Sequence, residues 1–593
     1  MSDELSSRRL VDCAMGRLPA DLLIRGGRWV SVQSGEIIPG TDVAVLGTRI
    51  AYVGSDASHC AGPKTQLIEA QGRFLVPGLI DGHVHVESGM VTISGFVNAV
   101  LPHGTTGMMI DPHEIANVFG LQGVRLMVDE AAVQPIHVWV QVPSCVPSAP
   151  GMETPGASMG PYEIAEALTW PGIIGLGEVM NFPAVVNGDE KIHAEMEAAR
   201  RAGKVIGGHY PSLDLKLPFH GYVAGGPEDD HEGTRAEDAV ARVRQGMRAM
   251  LRYGSAWHDV EAQVKAVTEQ NLDPRHFVLV TDDSHAGTLV GEGHMDRVVR
   301  HAVKCGLSPL VALQMATLNA AEHFGVSREI GEIAPGRYAD ILLVGDLETL
   351  DVQLVIAKGV RAAEGGRMVL PPSRFRHPAK YRHSVHLVRD LVPEDFTVRS
   401  RAETVTEAHV IGVLENEAGT RHLHISLPVQ QGVVQIRPDG EVAKVGLVER
   451  HHRTGRIQVG FVQGFGFNVP CAVASTVAHD CHHLLVVGTE DSQMAMAANA
   501  VAKLGGGILV VREGKVRAAV ELPIAGLMSE EPASVVAQKM SAVLEEFRAC
   551  GCQMSNANMQ LSLLALVVIP ELRISDLGLV DVERFEFVPA VEA

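Results

Sequence analysis

"LVPGLIDGHVHVESG" (residues 75–89) decides how this chain is read. An apolar run passes through a proline and a glycine, reaches Asp81–Gly82, which reads as a turn at the entry to the catalytic face, and ends on two histidines separated by one valine. Side chains two residues apart on a β-strand point to the same face. His83 and His85 therefore leave such a strand side by side. The pair alone is equally consistent with two hydrogen-bonded histidines of the core or surface. It becomes half of a metal site if later strands bring further ligands to the same place.

The chain downstream supplies such strands. Apolar runs, "HGTTGMMID" (103–111), "IHVWVQVP" (136–143), "IIGLGEVM" (173–180), "KVIGGHY" (204–210), "RAMLRYG" (248–254) and "HFVLVTDD" (276–283), alternate with helical stretches such as "KIHAEMEAARRAG" (191–203) and "RAEDAVARVRQGMRAML" (235–251). This alternation, sustained over about 250 residues, predicts a (β/α)₈ barrel. The expected fold class is α/β: a metal-dependent TIM-like barrel, a small β-sandwich domain built from segments on both sides of it, and a C-terminal α/β domain. The predicted boundaries are a helical lead-in over 1–20, a composite β domain from 21–75 and 331–372, the barrel over 76–330, a basic connector over 373–399, and the C-terminal domain over 400–593. In the last of these, "REGK" (512–515) between two apolar runs predicts a hairpin.

Composition narrows the function classes. The 593 residues are 46% apolar and 20% charged, an ordinary globular balance. A net charge of −20 argues against nucleic acid or an anionic membrane as partner. The beginning of the chain has no apolar signal-peptide core. The longest apolar run, "LSLLALVVIP" (561–570), is too short to span a bilayer. The eight scattered cysteines form no disulfide framework and predict reduced thiols and a cytoplasmic protein, Cys550 and Cys552 included.

Catalytic residues of a barrel gather at the carboxyl ends of its strands. There the sequence places His83 and His85, then Glu178, His209, His231 with Glu232, and Asp282 with Asp283. Each histidine alone reads as a core or surface residue, and Glu178 alone reads as half of a salt bridge. Together they form a set able to hold two divalent cations, with Glu178 bridging them. A water activated by metal is a nucleophile near neutral pH, and a neighbouring carboxylate, Asp282, can take its proton. That chemistry is hydrolysis at an electrophilic carbon. Asp111, His113 and Glu114 in "DPHEIAN" (111–117) lie just past the second strand and are expected near the substrate or the metals. Glu87 either orients a metal-binding histidine or faces water.

These residues resemble the amidohydrolase superfamily, with glutamate where its carbamylated-lysine members carry lysine. The closer resemblance is to the adenine deaminase family, carried by "HVHVESGM", "HGTTGMMIDPHEIANVFG", "GLGEVMNFPAVV", "GHYP", "DDHEGTRAEDA", "TDDSH" and "GEGHMD", and by "GTEDSQMAMAANAV", "LPIAGLMS" and "IPELRISDLGLVDV" toward the C-terminus. It runs from about residue 20 to 590. It implies His83, His85, Glu178, His209, His231 and Asp282 as metal ligands, with Asp282, Glu178 and His231 catalytic. It implies two divalent ions, Mn2+ or Fe2+ with Zn2+ as the alternative, and adenine as the substrate of a homodimer or higher homo-oligomer. Two local departures stand out. Asp229–Asp230 precede His231, with no mechanistic effect expected, and Tyr210 in "GHYP" is expected at the pocket edge. A cytidine-deaminase-type zinc site needs H-x-E with P-C-x-x-C. "HVE" (85–87) meets the first half, but "PCAVA" (470–474) has one cysteine only. Another amidohydrolase reaction, or a scaffold that has lost catalysis, are the competing readings.

Overall fold

Strands buried on both faces of a parallel sheet read as near-continuous apolar runs, and the runs found in the sequence form them. In the computed structural model, which describes residues 6–415, 417–436 and 441–592, the barrel strands in chain order are Leu79–His85, Thr105–Ile110, His137–Val142, Ile173–Val179, Val205–Gly208, Asp229–Asp230, Arg248–Arg252 and Phe277–Val280. The first five pair in parallel, as do the last three. The Glu228 N–H donates to the Ile206 carbonyl between the fifth and sixth. Asp282–Asp283, continuing the eighth strand, pairs with Val84 and His85 of the first. The ring thus closes, and the ends of its first and last strands lie side by side.

The sixth strand is only two residues long, and its brevity hid it in the sequence. The helix expected through 251 stops at Arg244, and the chain turns at Gly246 with φ +90° before the seventh strand begins at Arg248. The apolar run 248–251 therefore belongs to the barrel wall.

Asp81 and Gly82, which read as a turn before the histidine pair, lie inside the first strand. Asp81 is fully buried. Its carboxylate accepts from the Thr281 N–H at 3.2 Å and the Thr281 hydroxyl at 2.6 Å, and lies 3.1 Å from His294 Nε2. One side chain so fixes the first strand against the segment that carries Asp282.

Chain on both sides of the barrel builds one further sheet. Leu22–Ser31 pairs with Glu36–Leu46, Gln66–Glu69 and Phe74–Pro77, and the returning Ile341–Val344 pairs antiparallel with Phe74–Pro77. The lead-in residues 1–5 lie outside the described residues; the helix Ser7–Ala14 buries Cys13 among Leu23, Ala44 and Cys60 of this domain. The C-terminal region forms a nine-stranded sheet with helices Asp491–Leu504 and Ala533–Ala549. Its Arg512–Lys515 hairpin turns through Glu513 (φ +54°) and Gly514 (φ +67°), the backbone that two-residue hairpins require.

The connector is packed between these bodies. His377 reaches Glu130 of the barrel at 3.0 Å with one ring nitrogen and Glu530 of the C-terminal region at 3.0 Å with the other. All eight cysteines are free thiols, and among the described residues no helix is long and apolar enough to cross a membrane.

Replacing Asp81 by alanine leaves the buried Thr281 N–H, Thr281 hydroxyl and His83 N–H without their acceptor. At roughly 1–3 kcal/mol per buried unsatisfied group, Asp81→Ala is expected to lower unfolding stability by about 3 kcal/mol or more, read as an earlier midpoint in urea. A change within error would exclude Asp81 as the strut of barrel closure.

Candidate metal centre at the barrel mouth

The strand-end residues converge on Glu178, at the end of the fourth strand and 3% exposed. Its Oε2 lies 2.8 Å from His209 Nδ1, 3.1 Å from His231 Nε2 and 4.0 Å from His83 Nε2. Its Oε1 lies 3.8 Å from His85 Nε2 and 3.4 Å from His113 Nδ1. Asp282 Oδ1 stands 3.3 Å from His85 Nε2 and 3.8 Å from His83 Nε2. The rings of His83 and His231 stack with centroids 4.0 Å apart. Three overlapping groups, His83–His85–Glu178, His83–His231–Asp282 and Glu178–His209–His231, each have geometry able to hold a metal ion.

The set fits divalent cations on chemistry as well as distance. It is all imidazole nitrogen and carboxylate oxygen, with no thiolate. His83 Nε2 and His231 Nδ1 are buried and have no hydrogen-bond partner, a costly state for a polar atom unless something binds it. His85 Nδ1 lies 2.9 Å from the Asp111 carbonyl, which fixes the tautomer and leaves Nε2 as a ligand atom.

Burial opposes the charge on Glu178, but His209, His231 and His85 outweigh it and hold its carboxyl well below the usual range. Burial likewise opposes ionisation of Asp282, and His85, His231 and Arg252 overcome it. Both carboxylates are therefore anionic at neutral pH, the state in which they could hold a cation. His113 is pushed down to about 4 by burial and by His85, so its ring is neutral.

Surrounding groups aim these ligands. The Asp111 Oδ2 accepts the Glu178 N–H at 2.8 Å. A Cβ at position 177 would stand 2.3 Å from that oxygen, so the glycine in "GLGE" is what lets the carboxylate lie against the strand. Asp230 accepts the Tyr210 and Glu232 N–H groups and pairs with buried Arg242 at 2.9 Å, fixing the chain on either side of His231. The Asp229–Asp230 pair thus has a positioning role. Tyr210 does not edge the pocket; its ring is fully buried against Phe182, Phe219 and Tyr222. Glu87 is 1% exposed and does not face water. Among the described residues no hydrogen bond reaches either carboxylate oxygen of Glu87 or Glu114, and burial raises the pKa of both. Asp283 is held by the Ser88 hydroxyl.

Three residues of the centre escaped the sequence reading. Arg252 ends the seventh strand, pairs with Glu232 through both guanidinium arms, and reaches Asp282 Oδ2 at 3.1 Å and Asp259 at 2.6 Å. A strand-end arginine followed by "YG" was the available signal. His479 and Asp480 come from the C-terminal region. Asp480 Oδ1 lies 3.9 Å from His113 Nε2, and His479 Nδ1 lies 3.9 Å from Glu114 Oε1. Their stretch, "VAHDCHH" (477–483), is an unusual concentration of histidines.

The sequence profile of the amidohydrolase family matches residues 74–218 and 227–362, and that of the adenine deaminase C-terminal domain matches 417–586. Over 578 residues the chain is 58% identical to adenine deaminase 3 of Rhizobium meliloti, covering 98% of this chain and 97% of that protein. It is 58% identical to the adenine deaminase of Paracoccus denitrificans, with 98% and 97% covered. It is 48% identical to that of Moorella thermoacetica, with 99% and 98% covered.

Glu178→Gln keeps shape and removes the charge on which the imidazoles converge. Loss of an outer-shell partner weakens metal binding by about 10–100-fold, and loss of this central ligand is expected to exceed that. Elemental analysis of the desalted variant should find the barrel's metal lost relative to wild type, whereas wild-type metal content would remove Glu178 from the ligand set.

Proposed function

This chain belongs to the adenine deaminase family, and we propose how its own residues carry the hydrolysis of adenine to hypoxanthine and ammonia. The observation that carries the reading is the convergence of four strand-end histidines and Asp282 on buried Glu178. We assign two divalent ions to this centre, Mn2+ or Fe2+ with Zn2+ as the alternative. His83, His85 and Asp282 would hold one, His209 and His231 the other, and Glu178 would bridge them. When bound, such ions lower the pKa of water toward neutrality and so supply the nucleophile for C6 of the purine.

Asp282 accepts the proton of the attacking water. Its ion pair with Arg252 keeps it anionic and aimed at the histidine pair. The same carboxyl, once protonated, serves the departing amine, as a base that becomes an acid. Glu178, anionic at rest, relays to ring nitrogen N1 the proton that Asp282 takes from the water, and the remaining hydroxyl proton at C6 then passes through Asp282 to the amine. A carboxyl held well below its usual range by His209, His231 and His85, against the opposing effect of burial, gives up such a proton readily to a weakly basic nitrogen. His231 positions the Glu178 oxygen that it meets at 3.1 Å. Glu87, Asp111, His113, Glu114, Glu232 and Asp283 form the surrounding polar wall, which His479 and Asp480 complete from the C-terminal region.

Water exclusion favours this chemistry, because charges act more strongly in a dry site. Asp480 is 2% exposed and Glu114 is 1% exposed, so the C-terminal region seals this side of the mouth. We further propose a cytoplasmic location, supported by eight free thiols, and a role in purine salvage, supported by the adenine reaction itself. We also propose self-association as a homodimer or higher oligomer.

Metal-loaded protein should convert adenine to hypoxanthine with one ammonia released per turnover, followed by ultraviolet absorbance; no hypoxanthine from adenine would sink the reading. Asp282→Asn should lower kcat by about 10²–10⁴-fold, the range for losing a general base. Asp480→Ala, with metal content retained, should reduce kcat/KM by about 10-fold, or roughly 1.4 kcal/mol. Unchanged kinetics there would mean that the C-terminal wall has no part in catalysis.

A further inference from the structure

The C-terminal sheet carries a second group of histidines that the barrel reaction does not use. "HLH" (422–424) has the same spacing as "HVH" (83–85). Its strand, Thr420–Gln430, pairs antiparallel with Val405–Val413, and His424 lies directly opposite His409. Spacing of two and direct opposition put all three imidazoles on one face of the ladder. Their ring centroids are 4.8 to 5.0 Å apart in each pair. One ligand atom from each ring can be chosen so that all lie within 4.8 Å of one another.

Each ring has one nitrogen held by a carboxylate. His409 Nε2 lies 2.9 Å from Glu592, His422 Nδ1 lies 3.4 Å from Asp581, and His424 Nδ1 lies 3.0 Å from Glu407. That leaves His409 Nδ1, His422 Nε2 and His424 Nε2. The first two share a hydrogen bond at 2.7 Å, which an ion bound by both rings would replace. Imidazoles gripped from behind by carboxylates, with their other nitrogens turned together, form the arrangement that orients histidines on zinc. Three nitrogen donors and an open fourth position suit a four-coordinate zinc ion.

We propose that His409, His422 and His424 form a zinc site, separate from the barrel centre, that fastens the C-terminal end of the chain to this sheet. The segment so fastened already lies along the ladder. Ala408 bridges Val591, and the Glu592 N–H donates to the Glu407 carbonyl at 2.8 Å. The site joins the paired strands 405–413 and 420–430 to two segments far later in the chain, 579–581 and 590–592. The competing account is a hydrogen-bonded histidine–carboxylate network that binds no metal.

The test uses the untagged full-length enzyme as wild type, His422→Ala and His424→Gln. Each form is equilibrated with zinc, desalted, and assayed for zinc per chain and for adenine turnover. Wild type should retain one zinc more per chain than either variant, with turnover unchanged. His424 is about half exposed, so its replacement by glutamine tests the site even if His422→Ala folds poorly. A further readout needs no variant of the cluster: Glu178→Gln, with its barrel centre emptied, should still bind one cobalt and show the visible absorption of a four-coordinate ion. Equal zinc in wild type and His424→Gln, or no cobalt band in Glu178→Gln, would overturn the proposal.

Discussion

A glutamate charge at the bottom of a protein mouth is the constraint that organises this molecule. Glu178 is 3% exposed, and removing a carboxylate from water costs several kcal/mol unless cations or donors replace its hydration. His209 and His231 meet one oxygen, and His85 and His113 stand near the other. Each comes from a different piece of the barrel, so the charge can be satisfied only when the strands assemble in the right order. An imidazole can shed its proton and offer a lone pair instead, so the same ring that pairs with Glu178 can turn to a metal. Lysine at this position would offer no anion and would need chemical modification to bridge two ions.

Most of this centre was legible because barrel geometry makes it so. Strand ends are marked by apolar runs, and polar residues closing such runs fall at one mouth. Hence His83, His85, Glu178, His209 and Asp282 could be picked out from local pattern. His231 follows a strand of two residues that has no pattern of its own; it was read as a strand-end residue only as one of the whole set of histidines and carboxylates. Asp81–Gly82 was misread because aspartate and glycine are turn residues by composition. What keeps Asp81 in a strand is Thr281, 200 residues away. Arg252 had the right place but a side chain that does not suggest a ligand; its partners Glu232 and Asp282 define it. His479 and Asp480 carry no periodic signal, and only packing between the C-terminal region and the barrel brings them to His113 and Glu114.

The two H-x-H pairs show how context decides what equal spacing means. His83 and His85 end a parallel barrel strand, so their partners come from other strand ends around a ring. His422 and His424 lie in an antiparallel ladder, so the third imidazole comes from the residue directly across it, His409. In the barrel, one imidazole is steered by a main-chain carbonyl, that of Asp111. In the C-terminal sheet, carboxylates from three segments do that work. The first environment is dry and closed by a second domain; the second opens to solvent on the side of His424.

Asp282 connects the fold to the chemistry most directly. It has φ +64°, a left-handed conformation costing a non-glycine residue about 1–2 kcal/mol. A regular strand through 282 would continue the alternation of Phe277–Val280. The break instead falls between Val280 and Asp282, at the residue whose N–H and hydroxyl Asp81 accepts. Thr281 is thereby fixed to the first strand, and the next residue must turn to resume pairing with Val84. The turn delivers the Asp282 carboxylate to both His85 and Arg252. Strain of this kind persists only where neighbouring contacts over-determine it. Here Asp81 on one side and Arg252 on the other supply those contacts, so the residue that read as a turn holds the proposed base in place.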